Sequence, residues 1–92
     1  MSGSSVDPQV QTLREQIAAL DRSILADVNA RIELVARIRS YKAENGIPFV
    51  DPDRERELIE ALAADNGGPL SADGVRELYT YLLALSKREL DS

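Results

Sequence analysis

The chain has no cysteine and no histidine. Without cysteine there is no disulfide and no thiolate chemistry. Without histidine the commonest metal ligand and the usual general base near neutral pH are both missing. Positive charge is scarce as well: 11 Lys and Arg stand against 16 Asp and Glu, for a net charge of -5 and a pI near 4.6. The only aromatics are Tyr41, Phe49, Tyr79 and Tyr81. An acidic chain poor in aromatics lacks the basic footprint and the stacking platforms of a nucleic-acid binder, so no nucleic-acid partner is expected. The longest apolar run, Tyr81 to Leu85, is far too short to span a bilayer, so no membrane partner is expected either. The stretch from Met1 to Val6 carries neither a basic nor an apolar region of the secretory kind. The expectation is a soluble cytoplasmic protein.

What remains is a 92-residue chain, 43% hydrophobic, with room for one small core. From Gln9 to Asn45 it contains neither Gly nor Pro, and apolar residues recur at Leu13, Ile17, Leu20, Ile24, Val28, Val35 and Ile38. Steps of three and four, with one gap of seven, are helical periodicity, with one side apolar through the first half. Asp7-Pro8 supplies an N-cap and a proline at the first helical position, and Asn45-Gly46 with Pro48 beyond supplies a stop. One helix is predicted over about residues 8 to 44. Asp51-Pro52 repeats the start signal, and Leu58, Ile59 and Leu62 line a short helix ending before Asn66-Gly67-Gly68-Pro69. Ser71 then caps a third helix with Val75, Leu78, Leu82 and Leu85 on one face, although Gly74 in its first turn blurs that boundary. No stretch alternates with period two, so the predicted class is all-α. Residues 1–7 are predicted to be a disordered N-terminus and 8–90 the helical domain.

A helix of this length extends about 55 Å. A compact chain of this size has a radius of gyration near ~12 Å, hence a diameter of roughly 30 Å. The first helix overshoots such a globule, and two shorter helices cannot cover its whole apolar side. A second copy of the chain would cover it, giving a symmetric helical dimer. The alternative is a break or bend near Asp27–Asn29, where Asp27 interrupts the apolar seam.

Most charges, among them Glu55, Arg56, Glu57, Glu60, Glu77, Lys87 and Arg88, read as solvated faces or i,i+4 pairs. Three cations read differently. Arg31, Val35, Ile38 and Lys42 fall on one stripe of the first helix, which sets Arg31 and Lys42 on its apolar side about 16 Å apart. Cations in such a seam either snorkel to its edge or meet buried anions. Arg14 lies about 25 Å from Arg31 along the same helix and could reach a shared site only in an antiparallel dimer. The segment Val50-Asp51-Pro52-Asp53-Arg54-Glu55-Arg56 adds a polar cluster after the loop that follows Lys42. A cationic pocket built from these parts would suit a small anion with two carboxylates.

These residues, taken in order, are familiar. Leu13-Arg14-Glu15-Gln16-Ile17, Leu20-Asp21, Arg31, Lys42 and Asp51-Pro52-Asp53-Arg54-Glu55 resemble the all-helical AroQ class of chorismate mutases, over about residues 10 to 90. The resemblance implies an intertwined homodimer of three-helix chains (long, short, medium) with two active sites shared between protomers. It implies that Arg14 crosses into the partner's site to hold a substrate carboxylate, and that Arg31 holds a carboxylate from its own chain. Lys42 matches the lysine that hydrogen-bonds the ether oxygen of the breaking bond. Asp51 and Glu55 match positions near the ring hydroxyl, Arg54 an arginine beside the ring, and Ser86 a serine that helps bind a carboxylate. One position departs: where the family carries Gln or Glu four residues after that serine, this chain has Leu90, with Glu89 beside it. A leucine donates no hydrogen bond. Some short mutases with atypical C-termini gain activity by binding 3-deoxy-arabino-heptulosonate 7-phosphate synthase, which makes that enzyme a candidate partner.

The implied reaction is the Claisen rearrangement of chorismate to prephenate, which needs no nucleophile, metal or cofactor. Two rivals stand beside it. One is a same-fold enzyme, an isochorismate pyruvate-lyase or an aminodeoxychorismate mutase, against which the Asp-Pro-x-Arg-Glu segment favours the ordinary mutase. The other is a non-catalytic helical dimerisation module whose Arg31 and Lys42 merely snorkel.

Overall fold

The computed structural model describes residues 7–91, so the predicted disorder of the N-terminus falls outside the described residues except at Asp7. Three helices account for the fold: α1 (Pro8–Glu44), α2 (Pro52–Asp65) and α3 (Ala72–Asp91), with no strand among the described residues. The class is all-α, as the periodicity predicts. Two compact units divide the chain, one ending at Leu34 and one beginning at Val35.

The first unit is the N-terminal part of α1. Asp7 starts it: its carboxylate oxygen Oδ1 accepts from the amides of Gln9 at 2.7 Å and Val10 at 3.2 Å. Pro8 has no N–H to leave unpaired, so the first turn is nearly satisfied by local chemistry alone. Helical structure continues without interruption through Asp27–Asn29, and the break considered there is absent. The reason is simple: Asp and Asn cost a helix interior only a few tenths of a kcal/mol, roughly, relative to neighbours of better propensity. No residue of α1 is buried. Leu13, Ile17, Leu20 and Ile24 all stand open to solvent, Leu20 at 63% of its full area.

The second unit begins with the last turns of α1. The amide of Ile47 donates to the carbonyl of Lys42 at 2.8 Å, the six-to-one bond of a Schellman stop, with Gly46 at φ 68°. A side chain at Gly46 would have to sit in the left-handed region, which explains why a glycine stands there. Asp51 caps α2, accepting from the amide of Arg54 at 3.2 Å, and Pro52 opens the helix. Ser71 caps α3 by accepting from the amide of Gly74 at 2.9 Å. At Gly74 a Cβ would lie 2.6 Å from Leu70 Cδ1, a contact that the half-exposed leucine side chain would relieve by turning away.

Helices α2 and α3 pack as an antiparallel hairpin. Its core is small: Ala63, Val75 and Leu83 are buried, together with Ser86. Outside that core Arg76 reaches across and donates from Nε and Nη2 to the two carboxylate oxygens of Glu60, at 3.0 and 3.1 Å, and also pairs with Asp73 at 2.7 Å. The guanidinium holds Glu60 below the ordinary glutamate value of 4.5 by hydrogen bonding first and charge second.

Candidate active site

The second unit carries most of the residues singled out by the sequence. Lys42 occupies the last turn of α1, where the carbonyl ends of the helix favour a cation. It is half-buried, and its ammonium donates to the backbone carbonyl of Phe49 at 3.3 Å. An ammonium has three hydrogens, so this bond leaves donors to spare. Arg39, one turn earlier, sits with its guanidinium carbon 5.4 Å from the centre of the Phe49 ring and pairs with Asp91 at 2.8 Å. The loop carrying Phe49 is thus fastened to the end of α1 through both its ring and its carbonyl.

Just before α2, Asp51 caps the helix through its Oδ1, and Arg54 contributes its amide to that cap while its residue is exposed. Glu55 points to the other helix. Its carboxylate pairs with the ammonium of Lys87 at 2.7 Å, and the two side chains keep only 31% and 33% of their exposure. Ser86, beside Lys87 on α3, is 1% exposed, and its hydroxyl donates to the carbonyl of Leu82 at 2.8 Å, back along its own helix. Leu90 is half-buried and Glu89 exposed. The hairpin therefore brings Glu55 together with Lys87 next to Ser86. Lys42 is tied to the Phe49 loop.

Arg14 and Arg31 belong to the first unit. Arg14 is exposed and Arg31 is half-buried. At the turn of the hairpin, a shallow apolar pocket of about 290 Å³ lies among Leu62, Asp65, Asn66, Leu70, Val75, Leu78 and Tyr79 and includes none of these candidates. Sequence reasoning passed over Arg39, Phe49 and Lys87. Lys87 was classed with the solvated charges, and only the register of the α2–α3 hairpin sets it against Glu55. No local spacing carries that signal.

The chain matches the family described as chorismate mutase type II over residues 13–90. Over 62 residues it is 37% identical to the 4-amino-4-deoxychorismate mutase of Streptomyces venezuelae, covering 64% of this chain and 60% of that protein. Over 88 residues it is 31% identical to the bifunctional chorismate mutase/prephenate dehydratase of Aquifex aeolicus, covering 87% of this chain but 24% of that protein. The chain thus spans 60% and 24% of the length of these two curated relatives. Among solved structures, chorismate mutase (form I) from Thermus thermophilus superposes with a TM-score of 0.83 at 33% identity, covering 85% of this chain and 98% of that one. Among the described residues no helix is long and apolar enough to cross a membrane.

Proposed function

The chain belongs to the chorismate mutase type II family, and on that premise we propose that it catalyses the rearrangement of chorismate to prephenate in aromatic amino-acid biosynthesis. The observation that carries this reading is the extent of the family match, which takes in every candidate residue from Arg14 to Ser86. The reaction is pericyclic: one ether C–O bond breaks as one C–C bond forms, and no proton or electron is exchanged with the protein. A site for it needs only to shape the substrate and to meet the charge that develops.

Arg14 and Arg31 supply the shaping. Two guanidiniums holding two carboxylates fix a flexible diacid in its reactive conformation and remove the entropic part of the barrier. Lys42 supplies the charge. Its spare hydrogens face an ether oxygen that becomes more negative as the C–O bond lengthens, so the bond is stronger in the transition state than in the ground state. Asp51 and Glu55 serve the ring hydroxyl, with Arg54 beside the ring. Ser86 would have to exchange its bond to the Leu82 carbonyl for one to a substrate carboxylate, because a hydroxyl has a single hydrogen to donate.

The site is completed in a homodimer. The exposed row Leu13, Ile17, Leu20 and Ile24 would be covered by the same row of a second copy, since apolar surface left in water is unfavourable by about 25 cal/mol per Å². Intertwined antiparallel pairing also places Arg14 of one protomer in the site of its partner. The domain occupies residues 8–90 and works in the cytoplasm. Leu90 leaves the ether oxygen without the second donor usual in the family, so binding to 3-deoxy-arabino-heptulosonate 7-phosphate synthase is proposed to raise the activity.

A second reading has one observation in its favour, the similarity to a 4-amino-4-deoxychorismate mutase. Purified protein assayed against chorismate, isochorismate and 4-amino-4-deoxychorismate separates the two. Prephenate formed from chorismate at the highest kcat/KM supports the proposal; a preference for either other substrate overturns it. Turnover of none of them leaves the dimerisation module.

A further inference from the structure

We propose that Lys87 is a positioning residue that sets the substrate preference of this site, favouring a hydroxyl over an ammonium at the ring carbon that Glu55 serves. The inference rests on the placement of Glu55 given under Proposed function and adds to it a partner on another helix. Glu55 lies in the first turn of α2 and Lys87 in the last part of α3, and their charged ends are 2.7 Å apart. Both side chains are about two-thirds covered, at 31% and 33% exposure, whereas the Arg56–Asp53 pair on the same helix keeps 71% and 80%. Water therefore screens the Glu55–Lys87 pair far less than an ordinary surface pair. Lys87 also follows Ser86 directly, the residue that the same reading sets against a substrate carboxylate.

The chemistry of the carboxylate turns this contact into a selector. An ionised carboxylate has about four lone-pair sites, so an ammonium on one side leaves room for a neutral donor on the other. A ring hydroxyl is such a donor. It adds a hydrogen bond and no charge. An amine at the same carbon is protonated near neutral pH, as alkyl amines are. It would bring a second cation against a carboxylate already neutralised by Lys87, with Arg54 next in sequence adding the same sign. The attraction that would otherwise favour the ammonium is cancelled, and the repulsion between the two cations remains. Family members named for a hydroxylated and for an aminated substrate differ at this one substituent, so the charge beside Glu55 is where the two can be told apart.

The test is the ratio of kcat/KM for chorismate to that for 4-amino-4-deoxychorismate, measured on the wild-type protein, Lys87→Met, Lys87→Gln and Lys87→Arg. Wild type and Lys87→Arg should both favour the hydroxylated substrate. Each neutral variant should lower the ratio about tenfold, the size expected for a partly screened charge pair, mainly by raising turnover of the amine. Both substrates see the same folded fraction, so a loss of stability cannot move the ratio. An unchanged ratio in both neutral variants overturns the role of Lys87 while leaving the mutase reading standing, whereas a wild type that prefers the amine overturns both. A wild type that converts neither substrate overturns both.

Discussion

The part of α1 up to Leu34 and the α2–α3 hairpin treat their apolar residues in opposite ways. The hairpin keeps Val75, Leu83 and Ala63 out of water and closes over them with cross-helix ion pairs at Glu60–Arg76 and Glu55–Lys87. The first unit displays Leu13, Ile17, Leu20 and Ile24 in an open row and buries none of its described residues. A helix of good local propensity needs tertiary cover for most of its stability. The hairpin finds that cover within one chain. On the proposed dimer the first unit finds it in a second copy, a reading that gives assembly to one region and the substrate-sorting charges to the other.

Breaking the first unit should have the largest effect. Leu20→Asp sets an unpaired carboxylate in the proposed dimer seam, at a cost of several kcal/mol, about 3 to 5, counted twice in a symmetric interface. Light scattering should show a monomer, and turnover should vanish with the loss of Arg14 from the partner. Next comes Lys42→Ala. Loss of one donor at a developing oxyanion lowers kcat by about 10²–10³, equivalent to roughly 3 to 4 kcal/mol, and the circular dichroism spectrum should be unaltered. Within the hairpin, Leu83→Ala should destabilise the fold by about 2 to 3 kcal/mol in urea melts, near the lower end for buried leucines because the core is small and can relax. An alanine at Leu20 should instead shift the dimer equilibrium, which sharpens the contrast between the two regions.

The smallest effect concerns pH. Glu60 is depressed by Arg76, so its contribution to stability is present above the ordinary glutamate value and is lost as the pH falls through its lowered one. Carbon-detected titration should show Glu60 ionising below 4.5 in the wild type and returning towards that value in Arg76→Ala.

The helices were legible in the sequence because their ends are local chemistry. Asp7-Pro8, Asp51-Pro52, Ser71 and Asn45-Gly46 each satisfy or stop a helix with side chains a few residues away, and each acts in the structure as its spacing predicts. Gly74 was harder to read. Alone it looks like a weak helix start; in the structure it lies under the exposed Leu70 side chain and its amide donates to the Ser71 cap. The charged site divides in the same manner. Lys42 stands out by its position on an apolar stripe, whereas Lys87 and Arg39 take their meaning from partners 32 and 10 residues away, Glu55 and Phe49. Contacts of that kind depend on how the hairpin and the loop close, and no periodicity encodes them.

The proposed shared site can be tested by mixing two inactive variants. Arg14→Ala and Lys42→Ala are each expected to lose about a hundredfold or more in turnover alone. After denaturation and refolding together, half the dimers should be mixed, and each mixed dimer should rebuild one intact site from Lys42 of the first variant and Arg14 of the second. Prephenate formation should then return to about a quarter of the wild-type rate per protomer. A mixture no more active than its components would contradict a site assembled from two chains.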